Sequence, residues 1–130
     1  MREKSLILDT CALIWLVSGD KMLSTVARDA IERASIVYVS AISAWEISLK
    51  SVQGGLILPL EPYDWFKRAI DSHRLVVAPL DVDILIDATK LPWHHRDPVD
   101  RFIVATALRE QMAIVTADSR FSLYGVRIIG

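Results

Sequence analysis

Four acids stand among residues that should be buried. Asp9 ends the run Leu6-Ile7-Leu8, Glu46 lies inside Ala44-Trp45-Glu46-Ile47, Asp100 precedes Ile103, Val104 and Ala107, and Asp118 follows Ala113-Ile114-Val115-Thr116. An ionised carboxylate moved from water into an apolar interior costs several kcal/mol unless it is paired or metal-bound. The pattern offers no matching buried Lys or Arg, so the four acids imply one shared cation site.

Each acid also has a plain structural use. Asp9 precedes Thr10 at a strand-to-helix junction, where Asp commonly caps the helix. Glu46 can pair with Lys50 at i,i+4, an arrangement worth a few tenths of a kcal/mol. However, Ile42 and Leu49 place Glu46 at the border of the core-facing stripe, which favours a functional role. Asp97 precedes Pro98 and suits an N-cap, with Pro in the first helical position. Asp100 then falls in the first turn and heads the apolar stripe, so it is assigned to cation binding and Asp97 mainly to capping. Asp118 can open a Ser119-Arg120-Phe121 turn. Thr10 and Thr116 can orient the acids through their hydroxyls, and ordinary turn duty explains them equally well.

A rival site is zinc on His94, His95 and Asp97. Adjacent residues on an extended loop point in opposite directions, and no third ligand is suitably spaced. An all-oxygen carboxylate set suits magnesium or manganese instead. Trp15, Trp45, Trp65 and Trp93 read as core or partner-contact residues, and Cys11 as a small buried hydrophobe.

The elements that must position these residues alternate in type. Strands are expected at Ser5 to Leu8, Ile36 to Val39, Leu75 to Ala78, Ala113 to Thr116 and Val126 to Ile129. Helices are expected at Thr10 to Val17, Thr25 to Arg33 after Ser24, Ser40 to about Gln53, Tyr63 to Ser72, Val82 to Lys90 after Asp81, and Pro98 to Arg109. Gly54-Gly55 and Pro59 to Pro62 mark a loop. Wholly aliphatic strands alternating with helices indicate an α/β fold with a parallel sheet covered on both faces. Ligands on such sheets sit beyond the carboxyl ends of the strands, where strand order switches. Asp9 and Asp118 lie at that edge.

The 130 residues form one expected domain, 1–130, long enough to bury a core without staples. A net charge of -1 requires any nucleic-acid surface to be a local patch. Cys11 is the only cysteine, which excludes an internal disulfide and a thiolate zinc cluster and favours a reduced, cytosolic setting. The apolar stretch from Leu6 to Val17 is too short to span a bilayer, and the charged start Met1-Arg2-Glu3-Lys4-Ser5 does not read as a signal peptide.

The segments Leu8-Asp9-Thr10-Cys11-Ala12-Leu13-Ile14-Trp15, Val39-Ser40-Ala41-Ile42-Ser43-Ala44-Trp45-Glu46-Ile47, His95-Arg96-Asp97-Pro98-Val99-Asp100-Arg101 with Phe102-Ile103-Val104-Ala105, Val115-Thr116-Ala117-Asp118 and Tyr124-Gly125-Val126 resemble the PIN-domain ribonucleases. The likeness is greatest to VapC-type toxins of bacterial type II toxin–antitoxin pairs, and it covers nearly the whole chain in order. It implies a three-layer α/β/α fold with a five-stranded parallel sheet and a magnesium- or manganese-dependent RNA endonuclease. The family's four acids fall on Asp9, Glu46, Asp100 and Asp118. Cys11 stands where relatives often have His, and Val99 where they often have Phe. The resemblance further implies a homodimer held inactive by a small cognate antitoxin, and no membrane partner.

On this reading the acids hold one or two divalent ions for phosphodiester hydrolysis of an RNA, whether tRNA, ribosomal RNA or messenger. Arg96, Arg101 and Arg120 flank them as candidate RNA-phosphate contacts, with solvated surface charge as the plain alternative. Two other classes compete. A phosphoryl-switch receiver or phosphatase also places an Asp after the first strand, but the phosphatase pattern wants an acid at position 11, which is Cys. A non-catalytic PIN-like binding module would keep the fold alone, and has no reason to bury four charges.

Overall fold

The computed structural model describes residues 4–130. Met1-Arg2-Glu3, on which the argument against a leader partly rests, lies outside the described residues. Five strands, β1 (Ser5–Leu8), β2 (Ile36–Ser40), β3 (Leu75–Ala78), β4 (Ala113–Val115) and β5 (Ile128–Ile129), form one sheet in the order β3-β2-β1-β4-β5. Every pairing is parallel. Six helices connect them: α1 (Thr10–Ser18), α2 (Thr25–Arg33), α3 (Ala41–Val52), α4 (Pro62–His73), α5 (Val82–Lys90) and α6 (Pro98–Glu110).

The central strand explains the layering. Along β1, side chains alternate between faces. Leu6 and Leu8 join Leu13, Ala27, Trp65 and Ala69 in a core beneath α1, α2 and α4. Ile7 joins Val99, Ile103, Val104, Phe121 and Tyr124 in a second core beneath α6. These three β1 side chains are fully buried, as a strand covered on both faces requires. Helix α5 packs outside α6 through Ile84, Ala88 and Ala105. Helix starts follow local chemistry: Ser24 accepts from the Ala27 N–H at 3.0 Å, and Asp81 from the Ile84 N–H at 3.0 Å. Gly19, in the left-handed region at φ 68°, ends α1.

Two expectations need correction. Cover on both faces fails at the β3 edge, where Val76 and Val77 are 44% and 40% exposed. The last strand is also shorter than its aliphatic run suggests. A 3-10 helix over Ser119–Tyr124 and a left-handed turn at Gly125 consume chain, so Val126 packs into the core and pairing begins at Ile128. No helix among the described residues is long and apolar enough to cross a membrane.

Strand order reverses between β1 and β4, because successive strands run outward from β1 to β3 and then from β4 to β5. The crevice at their carboxyl ends is the binding edge of such sheets. Ile103 ties α6 to this edge from below and is fully buried. Ile103→Ala is expected to cost about 2–5 kcal/mol in urea unfolding, and a loss under ~1 kcal/mol would mean the site helix is not held by this contact.

Candidate active site

Asp9 leaves β1 and enters the crevice with 7% exposure. Its Oδ1 accepts from the Ala12 N–H at 2.8 Å, so it does cap α1. Its Oδ2 accepts from the Thr116 hydroxyl at the end of β4. Helix capping and the contact with β4 thus fall on opposite oxygens of one carboxylate. Burial pushes the Asp9 carboxyl above its ordinary value, the two hydrogen bonds pull it back, and the charges of Asp118 and Glu46 push it up again.

Asp100 enters from the first turn of α6, capped by Asp97, whose Oδ1 accepts from the Val99 N–H at 3.0 Å. It is half-buried, and its carboxyl is pushed up to about 7. Burial is the main cause, followed by the charges of Asp97, Asp9, Glu46 and Asp118. All four expected site acids therefore act on one another here. Glu46 comes from α3 with a largely buried side chain. Asp118 follows β4 and opens the 3-10 helix by accepting from the Arg120 N–H at 3.0 Å.

No buried Lys or Arg was expected to match these acids, and the two cations that reach them are largely exposed. Lys50 lies 3.6 Å from Glu46, and Arg120 grips both oxygens of Asp118, with its Nη2 at 2.7 Å from Oδ2. Arg120, with help from His95, holds the Asp118 carboxyl well below the usual carboxylate range. Among the described residues, no cation pairs with Asp9 or Asp100 in this way. The crowding is thus relieved on one flank of the site and left standing on the other.

Other expectations change with the geometry. Arg101 is not a phosphate contact: it is 4% exposed, on α6, and buried against the segment that precedes the helix. Its Nη1 donates to the Pro92 and His95 carbonyls, its Nη2 to those of Ala88 and Leu91, and Trp93 covers its guanidinium at 3.8 Å. A group with five fixed donors satisfies carbonyls that a tight loop leaves without partners. Arg96 and Arg120 are exposed. Thr10 orients no acid, since its hydroxyl pairs with that of Ser43 at 3.0 Å. Cys11 is exposed rather than a buried hydrophobe, and the charges of Asp9, Glu46 and Asp100 reach it at the rim. Trp65 is core, whereas Trp45 and Trp93 are mostly exposed.

Sequence reasoning weighed His95 only as a zinc ligand beside His94 and Asp97, and its contact with Asp118 was not foreseen. His95 is buried, and its Nε2 lies 3.1 Å from Asp118 Oδ2. One donor atom each from His95, Asp100 and Asp118 fall within 4.8 Å of one another. The adjacent His94-His95 pair was the available signal, but its partner Tyr124 lies too far along the chain to be read.

Comparison with known proteins places these features. The PIN domain model matches residues 6–126. The chain is 30% identical over 118 residues to "Ribonuclease VapC22" of Mycobacterium tuberculosis, covering 89% of this chain and 88% of that protein. Among solved structures, DNA-bound VapBC from Salmonella typhimurium matches with TM-score 0.69 at 20% identity, over 98% of this chain and 97% of that one. VapBC2 from Rickettsia felis, bound to a promoter DNA fragment, matches with TM-score 0.68 at 12% identity, over 95% and 96% of the two chains.

The Asp100 shift makes stability depend on pH with a definite sign. Its carboxyl moves from an ordinary 3.8 to about 7 on folding, so the folded state binds the proton more tightly. The penalty is absent when both states are protonated, grows as pH rises past the ordinary value, and is complete above about 7. Asp118 runs the other way: its stabilisation is present at neutral pH and lost only in strong acid. Asp100→Asn should therefore stabilise the metal-free protein at pH 8 by ~1–2 kcal/mol, allowing for solvent screening. Urea unfolding at pH 8 and pH 4 checks this, and an equal effect at both would contradict it.

Proposed function

The chain belongs to the PIN-domain family, and we propose that it is a divalent-metal-dependent endoribonuclease acting as the toxin of a toxin–antitoxin pair. The observation that supports this reading is electrostatic: burial first, and then the charges of Asp97, Asp9, Glu46 and Asp118, oppose ionisation of Asp100 near the switch in strand order. The donor chemistry fits a hard cation, since carboxylate oxygens suit magnesium or manganese. In this reading the four acids hold the cation directly or through water. A divalent ion there supplies Lewis-acid activation of a water and neutralises charge on the scissile phosphodiester.

The chain's own groups prepare that chemistry. Thr116 and the Ala12 N–H fix the two oxygens of Asp9. Asp97 caps α6 and thereby sets the first turn that carries Asp100. Arg96 and Arg120, both exposed, hold RNA phosphates on either flank. No side-chain nucleophile is needed. The protein works in the cytosol as a homodimer, under control of a small cognate antitoxin. Trp45, Tyr63 and Phe66 line an apolar groove of about 590 Å³ between α3 and α4 that offers such a partner a surface. The phosphoryl-switch alternative loses ground because β3, which would present the acceptor, runs from Ala78 into Pro79 at the sheet edge.

Asp9→Asn and Asp100→Asn should each reduce magnesium- or manganese-dependent RNA cleavage to background with an unchanged far-UV circular dichroism spectrum. A chelator should do the same to the wild type. Full cleavage by both variants would refute the reading.

A further inference from the structure

His95 is the most completely engaged side chain in the site, yet the proposed chemistry gives it no task. Its ring is 1% exposed. It stacks on Tyr124 at 13° with centroids 5.5 Å apart, and meets Phe121 at 4.7 Å. Both ring nitrogens have a polar neighbour: Nδ1 lies 3.1 Å from the Tyr124 hydroxyl, and Nε2 lies 3.1 Å from Asp118 Oδ2. The backbone N–H of His95 donates to the same Tyr124 oxygen at 2.7 Å.

These contacts leave one neutral arrangement in which every donor has an acceptor. Tyr124 Oη accepts from the backbone N–H, which leaves its own proton for Nδ1. Nδ1 is then the acceptor, so the ring proton sits on Nε2 and is donated to the Asp118 carboxylate. The opposite tautomer would set the Nε2 lone pair against a carboxylate oxygen. The loop carrying His95 is fixed as well, since Arg101 donates to the His95 carbonyl at 3.4 Å and to three further carbonyls before it.

We propose that His95 is a positioning residue: its ring, held at Nδ1 by the Tyr124 hydroxyl, directs an Nε2–H at the Asp118 carboxylate and holds it in place for the cation. The inference rests on the metal-site reading above and deepens it. Nε2 is close enough to Asp100 and Asp118 to pass for a ligand. In this arrangement Nε2 is engaged with Asp118, and Nδ1 faces away toward Tyr124. Of the two groups that hold Asp118, Arg120 is mostly exposed and free to exchange with solvent or phosphate, whereas His95 is fixed. Carboxylates at metal sites are commonly oriented by such outer partners, and losing one typically costs 10–100-fold in metal affinity or activity.

The test combines a ring spectrum with metal binding. Histidine-labelled, metal-free protein at about pH 7.5 is examined by long-range proton–nitrogen correlation, with His95 assigned by its loss in His95→Gln. The expected result is the Nε2–H pattern. Tyr124→Phe keeps the stacked ring but removes the hydroxyl, and should mix the tautomers and weaken Mn2+ binding roughly tenfold or more. His95→Gln, which can still present an N–H toward Asp118, should retain more Mn2+ affinity than His95→Ala. A wild-type ring with no proton on Nε2 would overturn the inference. So would Tyr124→Phe binding Mn2+ as the wild type does. A wild type that shows the Nε2–H ring but binds no Mn2+ would overturn the metal-site reading, and the positioning role with it. Tight Mn2+ binding with the wrong tautomer would overturn the positioning role alone.

Discussion

Mutual repulsion among carboxylates in a half-buried crevice is the constraint around which this chain is arranged. Asp100 carries most of it, because burial and four neighbouring acids all oppose its charge. Two of those neighbours are eased by Lys50 and Arg120, while Asp9 is eased only by a hydroxyl and a backbone N–H. A protein selected for stability alone would not leave such a strain in place; cores with apolar residues of similar volume are commonly as stable or more so. The strain is the physical reason to expect a cation.

The fold supplies the convergence. A parallel sheet whose order reverses between β1 and β4 opens a crevice at their carboxyl ends, and helices α1, α3 and α6 all begin at that edge. Several side chains there do two jobs. Asp9 caps a helix with one oxygen and faces Thr116 with the other, and Asp118 opens the 3-10 helix while holding Arg120 and His95. Capping and site chemistry are compatible because a helix start presents N–H groups that favour negative charge. The buried Arg101 extends the same economy to the segment before α6, where it satisfies four carbonyls.

Much of this was legible in the sequence because it is local. The limits of β1, α2, β3 and α5 follow from aliphatic runs and from caps at Ser24 and Asp81. The acids stood out because each interrupts an apolar pattern. What escaped is set by distant contacts. The role of His95 depends on Tyr124, which reaches it only through the 3-10 helix after β4. Arg101 looked like a phosphate ligand because its charge is visible in sequence, whereas the carbonyls it serves become available only when the loop at 88–95 has turned. Cys11 shares α1 with buried Ala12 and Leu13, but its own position on the helix faces the rim of the acid site.

The most direct test of the central claim is calorimetric titration of the metal-free protein with Mn2+ near pH 6.5, in two buffers of different ionisation enthalpy. With Asp100 poised at about 7, the account predicts saturable binding coupled to proton release. Replacing Asp100 by Asn should remove that release and weaken the binding. Absence of binding, or binding that is unchanged and proton-neutral in both proteins, would show that these carboxylates do not share a cation.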